Sequence, residues 1–168
     1  MPHDRNAPLW PNDTDSFFRD RRLTPRPQAP KQCVATTLAM LTGSDPEHFV
    51  GRINTQDPRT WSAALAEWGV RLAYCPTDAR QLLHYRDELL RLDDLFTLSY
   101  YTPADPADIL KPPAEDGWLC GSHVVLLHRG TILDPQGGYD LPAPDHGCWD
   151  HHTKRVFRVV PAGYPHTL

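Results

Sequence analysis

The sequence predicts an α+β domain with N-terminal helices packed on a C-terminal antiparallel sheet, and three observations carry that prediction. Apolar residues recur at helical spacing in the first half, beginning with Val34, Leu38 and Leu41. The second half holds short runs such as "LFTLSYY" (95–101) and "KRVFRVVP" (154–161), aromatic or β-branched as strands are. The 18 prolines among 168 residues punctuate the chain and keep its elements short. Helices first and strands afterwards point to helices segregated on one side of a sheet.

Residues 1–31 are mixed in charge, polar and rich in proline, ending in "RLTPRPQAPK". Each X-Pro step disfavours helix before it, so this is an extended arm, and Trp10, Phe17 and Phe18 predict that it docks on the body. Residues 32–168 read as one domain. Its first helix starts at Cys33 and ends at Gly43, where a C′ glycine belongs. Ser44 and Glu47 have capping-box spacing and open a short helix over "DPEHFVGRI". Asp57 and Pro58 start a third helix with Trp61, Ala64, Leu65 and Trp68 on one face, stopped by Gly69. "VRLAYC" (70–75) is a strand, and Asp78 with Gln81 caps a helix through about Leu90. "LFTLSYY", "WLCGSHVVLLHRG" (118–130), "TILD" (131–134) and "KRVFRVVP" follow as strands, with Arg129-Gly130 as a tight hairpin. "QGGYDLPAPDHG" (136–147) reads as a flexible loop, and Tyr100, Tyr101, Trp61 and Trp68 as core or rim packing.

A domain of about 150 residues buries roughly 68–70% of its unfolded surface, so no metal or disulfide staple is required. The net charge of -4 and a pI near 6.1 argue against nucleic-acid and anionic-membrane partners. There is no apolar run of membrane-spanning length and no signal-peptide core near the N-terminus, so a cytoplasmic protein is expected. Cys33, Cys75, Cys120 and Cys148 are too few for a disulfide scaffold at this length. No cofactor is expected, and the oligomeric state is left open.

The chemistry centres on Cys33. A helix N-terminus favours negative charge and so favours a thiolate, the form that attacks. The plainer alternative is a small hydrophobe at the edge of the Val34/Leu38/Leu41 stripe. His123 and His128, five apart on one strand, point to opposite faces, so only one looks toward the Cys33 helix. A turn at Arg129-Gly130 returns Asp134 alongside the early part of that strand, near His123. A carboxylate can then hold one imidazole nitrogen while the other faces a thiol.

"QCVATTLAML" resembles the nucleophile helix of C39-like, papain-fold cysteine peptidases, and "SHVVLLHRGTILDPQGG" resembles their His strand and Asp-Pro hairpin. The likeness covers roughly Gln28–Gly43 and Gly121–Gly138, in the family order of Cys, His and Asp. It implies a papain-like fold and hydrolysis of an amide bond in a peptide or protein substrate. Cys33 would be the nucleophile, His123 the general base and then acid, and Asp134 the orienting carboxylate. A glutamine upstream of the cysteine would donate to the oxyanion; Gln28 has the better spacing, and Gln32 is the alternative. The chain departs from the family in Val34, where a glycine often follows the cysteine.

Two other readings compete. One is a catalytically idle papain-fold domain that binds a peptide or protein. The other joins Cys120, His123, Cys148 and His151, two C-x2-H pairs, in a closed structural zinc site and removes His123 from any triad.

Overall fold

The computed structural model describes residue 4, residues 6–102 and residues 121–168. Three α-helices, α1 (Cys33–Thr42), α2 (Pro58–Leu65) and α3 (Leu83–Leu92), pack on one six-stranded antiparallel sheet. Its strands are β1 (Val70–Cys75), β2 (Leu95–Thr102), β3 (Gly121–His128), β4 (Thr131–Asp134), β5 (Tyr139–Pro142) and β6 (Thr153–Pro161), ordered β1-β6-β2-β3-β4-β5. This is the expected α+β class. Among the described residues, no helix is long and apolar enough to cross a membrane.

The helices do not share one side, which corrects the expected segregation. Leu38, Ala39 and Leu41 of α1 and Trp61 and Leu65 of α2 pack with Leu72, Val124, Leu126, Phe157 and Val159 on one face. Tyr85, Leu89 and Leu92 of α3 pack with Phe96, Leu98, Val125, Leu127 and Ile132 on the other, together with Leu9, Trp10 and Trp149. The reason lies in β2, buried without a break from Leu95 to Tyr100, with Thr97 and Ser99 filling positions where a half-solvated strand would put exposed polar groups. Leu38 and Leu41, fully buried, contribute about 1.5–3 kcal/mol each to holding α1 down. Thr37 Oγ1 adds a hydrogen bond to the Val124 carbonyl of β3 at 3.4 Å.

The arm docks through its aromatics as expected, and it does so around a buried ion pair. Arg158 Nη2 lies 2.7 Å from Asp94 Oδ2, with both side chains wholly buried. Asp94 also accepts the backbone N–H groups of Phe17 and Phe18 at 2.9 Å each. The guanidinium of Arg158 stacks within 5.5 Å of the rings of Trp10, Phe17 and Phe96.

Several local expectations need correction. Ser44 and Glu47 form no capping box: Ser44 Oγ bonds Thr42 Oγ1 at 2.7 Å, and Pro46–His48 is a single 3-10 turn whose Asp45 makes no side-chain cap. Asp57 does cap α2, through Arg59 N–H at 3.1 Å, but the chain tightens to 3-10 at Ala66, and Trp68 ends half-exposed beside His48 while Trp61 is buried. Asp78 and Gln81 do not cap α3, which starts later, at Leu83. Asp78 instead binds Arg80 and the Tyr85 hydroxyl, and Gln81 bridges to His152. The 136–147 loop contains β5, paired to β4 from Thr131↔Pro142 to Asp134↔Tyr139. Residues 118–120 of the expected third strand lie outside the described residues.

Candidate functional site

Cys33 is the first residue of α1 and is partly exposed. Lys31, with φ 63, turns the arm sharply into the helix, and Gln32 occupies the N-cap without a side-chain cap hydrogen bond. The first N–H groups of a helix have no intrahelical acceptor, and the N-cap side chain caps none of them here. That is a favourable setting for negative charge.

His123 and Asp134 come together across the β3–β4 hairpin. The two-residue turn places Arg129 at φ 57 and pairs His128 with Thr131 and Leu126 with Leu133. His123 Nε2 then lies 2.7 Å from Asp134 Oδ1, with both side chains buried. His128 points elsewhere and bonds the Phe18 carbonyl at 3.0 Å. The Cys33 side chain also hydrogen-bonds the His123 ring, and Tyr100 stands edge-on to it with ring centroids 5.7 Å apart. Burial disfavours the His123 imidazolium, but hydrogen bonds to Asp134 and to Cys33 and the charges behind them outweigh it, raising its pKa to about 9. Cys33, His123 and Asp134 thus meet in one place, with Nε2 given to the carboxylate and Nδ1 left for the sulfur.

Asp134 is buried, yet each of its oxygens accepts hydrogen bonds from the protein. Its burial pushes the carboxyl up, but hydrogen bonds from His123, His146 and the Gln136 N–H hold it well below the usual carboxylate range. Oδ1 accepts from His123 and from Gln136 N–H at 2.9 Å. Oδ2 accepts from His146 Nε2 at 2.8 Å and the Tyr139 hydroxyl at 3.3 Å. Since an ionised carboxylate only accepts, both imidazoles donate through Nε2.

His146 was missed in the sequence. It sits in an expected loop and belongs to neither C-x2-H pair. The signal that would have found it is the Gly137-Gly138 pair, which reads as a tight turn (φ 106 and φ 69) and sends the chain back along β4. The segment after β5 then crosses over Asp134, carrying His146 with it.

Gln28 reaches the same place from the arm. Its backbone N–H donates to the Pro135 carbonyl at 2.8 Å, and its Oε1 is buried with no hydrogen-bond partner among the described residues. The arm can approach because position 138 is glycine: a Cβ there would stand 2.5 Å from Pro27 N. Gln32 stays at the helix N-cap.

The four proposed zinc ligands are placed as follows. His123 Nε2 is engaged by Asp134, and His151 Nδ1 donates to the Tyr101 carbonyl at 3.0 Å. Cys148 is buried, which with the nearby Asp134 charge pushes its thiol up to about 12. Cys120 lies outside the described residues. Among the described residues no cluster of three or more His, Cys, Asp or Glu is arranged to hold a metal ion. Comparison with protein-family models, with curated proteins and with solved structures finds no match for this chain.

Proposed function

We propose that the chain is a cysteine hydrolase of the papain-like, C39-like kind, cleaving an amide bond in a peptide or protein with Cys33, His123 and Asp134. The observation that carries this reading is the position of His123, hydrogen-bonded through Nε2 to a buried carboxylate and in contact with Cys33 on its other side. An imidazole raised to about 9 is protonated at neutral pH, the partner that a thiolate nucleophile requires.

The Cys33 thiolate attacks the carbonyl carbon, and the carbonyl π electrons move to oxygen. The oxyanion takes hydrogen bonds from the uncapped Cys33 N–H and the Gln28 side-chain amide; one such donor is typically worth about 10²–10³ in rate. On collapse of the tetrahedral intermediate the C–N bond breaks, and His123 gives its Nδ1 proton to the departing amine. Water then attacks the thioester, loses a proton to His123, and the C–S bond breaks to release the acid and restore the ion pair.

The test needs no substrate. Iodoacetamide at pH 6.5 is expected to alkylate Cys33 well ahead of the other three cysteines, as followed by peptide mass spectrometry. His123→Ala is expected to slow that reaction. Equal labelling of accessible thiols, or none at Cys33, would sink the hydrolase reading.

A further inference from the structure

The geometry points to His146 as a positioning residue that fixes the rotation and the negative charge of Asp134 and, through it, the orientation of the His123 imidazolium. This rests on the Cys33–His123–Asp134 reading above. The torsion that turns a carboxylate is soft and nearly two-fold, so a partner on one oxygen does not fix it. Asp134 is fixed because both oxygens are held. On Oδ2 the Tyr139 contact is long, at 3.3 Å, and Tyr139 is exposed, whereas His146 is buried and sits at 2.8 Å.

His146 is itself limited to one protonation pattern. Its Nδ1 accepts the Cys148 backbone N–H at 3.0 Å, and its Nε2 must donate to the carboxylate. It is therefore the neutral Nε2–H tautomer, with no nitrogen left to exchange a proton with Cys33 or a substrate. A proton on Nδ1 would break the hydrogen bond that caps the 3-10 turn at Gly147–Asp150. The order of donation runs from Cys148 N–H to His146, from His146 to Asp134 Oδ2, and from His123 to Asp134 Oδ1. The titratable groups around the carboxylate are His123, His146 and Tyr139, with Tyr100, Cys148 and Cys33 close behind.

The test compares wild type with His146→Leu, which keeps bulk and removes the donor, and with His146→Gln. The Gln amide can accept from Cys148 N–H and donate to Asp134. Two readouts are taken from pH 3 to 10: Cys33 alkylation by iodoacetamide, and the nitrogen shifts of 15N-labelled histidines. A donor to a charged group is worth about one to two pH units in that group's titration. Asp134 itself titrates below this range, so its state is read at His123. In His146→Leu the carboxylate turns away from Nε2, and the His123 titration is expected to fall by about one unit or more from about 9. Alkylation at pH 6.5 is expected to fall about tenfold, with His146→Gln within about threefold of wild type. A His146→Leu protein that melts earlier but keeps the wild-type His123 titration and nitrogen shifts would overturn the proposal and leave His146 a packing residue. If His146→Leu does not fold, wild type decides alone: His146 must be unprotonated at Nδ1 at neutral pH, and a doubly protonated or Nδ1–H ring overturns the proposal. Slow Cys33 labelling in wild type would instead reject the hydrolase reading, while the nitrogen shifts still judge His146.

Discussion

Replacing Asp134 by Asn changes one carboxylate oxygen to an NH2 group and removes one charge, and the surroundings dictate where the NH2 goes. At the Oδ2 position it would confront His146 Nε2–H, which cannot switch tautomer without releasing Cys148 N–H. At the Oδ1 position it confronts His123, which is free to switch, and Gln136 N–H, which belongs to an exposed residue and can turn to water. The amide therefore settles with its NH2 toward His123, whose proton moves to Nδ1, facing the sulfur. His123 also loses the strongest of the interactions that raise its pKa, while burial still lowers it. A fall from about 9 to the ordinary 6.5 or below is a factor of about 300 in proton affinity. The thiolate–imidazolium pair loses up to that factor against the neutral thiol–imidazole pair, and Cys33 alkylation is expected to slow by up to about 300-fold. Amide hydrolysis is expected to fall further, about 10³–10⁴-fold, as wrong-tautomer triads do, with substrate affinity near wild type. Alkylation rates across pH and the 15N shifts of His123 measure both effects. An Asp134→Asn protein that alkylates at the wild-type rate with His123 still Nε2-protonated would refute the assignment of Asp134.

The same pair makes stability depend on pH. His123 has a folded pKa above its unfolded value, so its contribution, on the order of 3 kcal/mol, is full below about pH 6.5 and lost as pH rises through about 9. The depressed Asp134 contributes above about pH 4 and is lost on acidification, so urea unfolding is expected to give a maximum near pH 4–6.5 that His123→Gln flattens on the alkaline side. Asp94→Ala leaves Arg158 charged and buried without its partner; it is expected to cost about 3–5 kcal/mol and lower the melting temperature by roughly 6–20 °C. Gly138→Ala puts a side chain at φ 69 and against Pro27, costing about 1–3 kcal/mol in backbone strain alone. It is expected to slow amide hydrolysis more than Cys33 alkylation, because alkylation forms no oxyanion for Gln28 to hold. EDTA is expected to leave the melting temperature unchanged and Cys148→Ser to be mild; one zinc surviving dialysis, with unfolding on its removal, would assign His123 to a structural metal site instead.

What was legible in the sequence was what local chemistry dictates. The Cys33 helix with its glycine stop, the Asp57-Pro58 start and the Arg129-Gly130 hairpin depend on neighbouring residues alone, and each is present. The hairpin is also why the His123–Asp134 pairing could be read: a two-residue turn fixes register, and register fixes which residues meet. The failures are tertiary. Ser44 had a capping glutamate at the right spacing, but Thr42 competed for its hydroxyl and won. The two-sided burial of β2 could not be read from its alternation, because Thr97 and Ser99 are polar yet lie wholly inside. β5 was hidden because "YDLP" has no apolar alternation; it is an edge strand with exposed side chains, held by backbone pairing to β4.

The two halves of the site are assembled by different kinds of contact. Every donor to Asp134 among the described residues lies between residues 123 and 146, on the β3–β4–β5 meander and the turn after it. Burying a carboxylate costs several kcal/mol, and four local donors, at about 1.5–3 kcal/mol for a hydrogen bond to a charged group, are enough to offset it. The meander therefore carries its ionised carboxylate and oriented imidazole without help from the N-terminal half. Cys33 and Gln28 arrive from some 90 residues away in sequence, through α1 packed on β3 and the arm bonded to Pro135. The nucleophile side is thus conditional on long-range docking, and the Arg158–Asp94 pair anchors the arm that carries Gln28. On the proposed reading, loosening that anchor frees the arm and its Gln28 amide, while α1, held by Leu38 and Leu41, keeps the thiol in place. The histidine–carboxylate pair beside it stays formed, so amide hydrolysis falls before the sheet is lost.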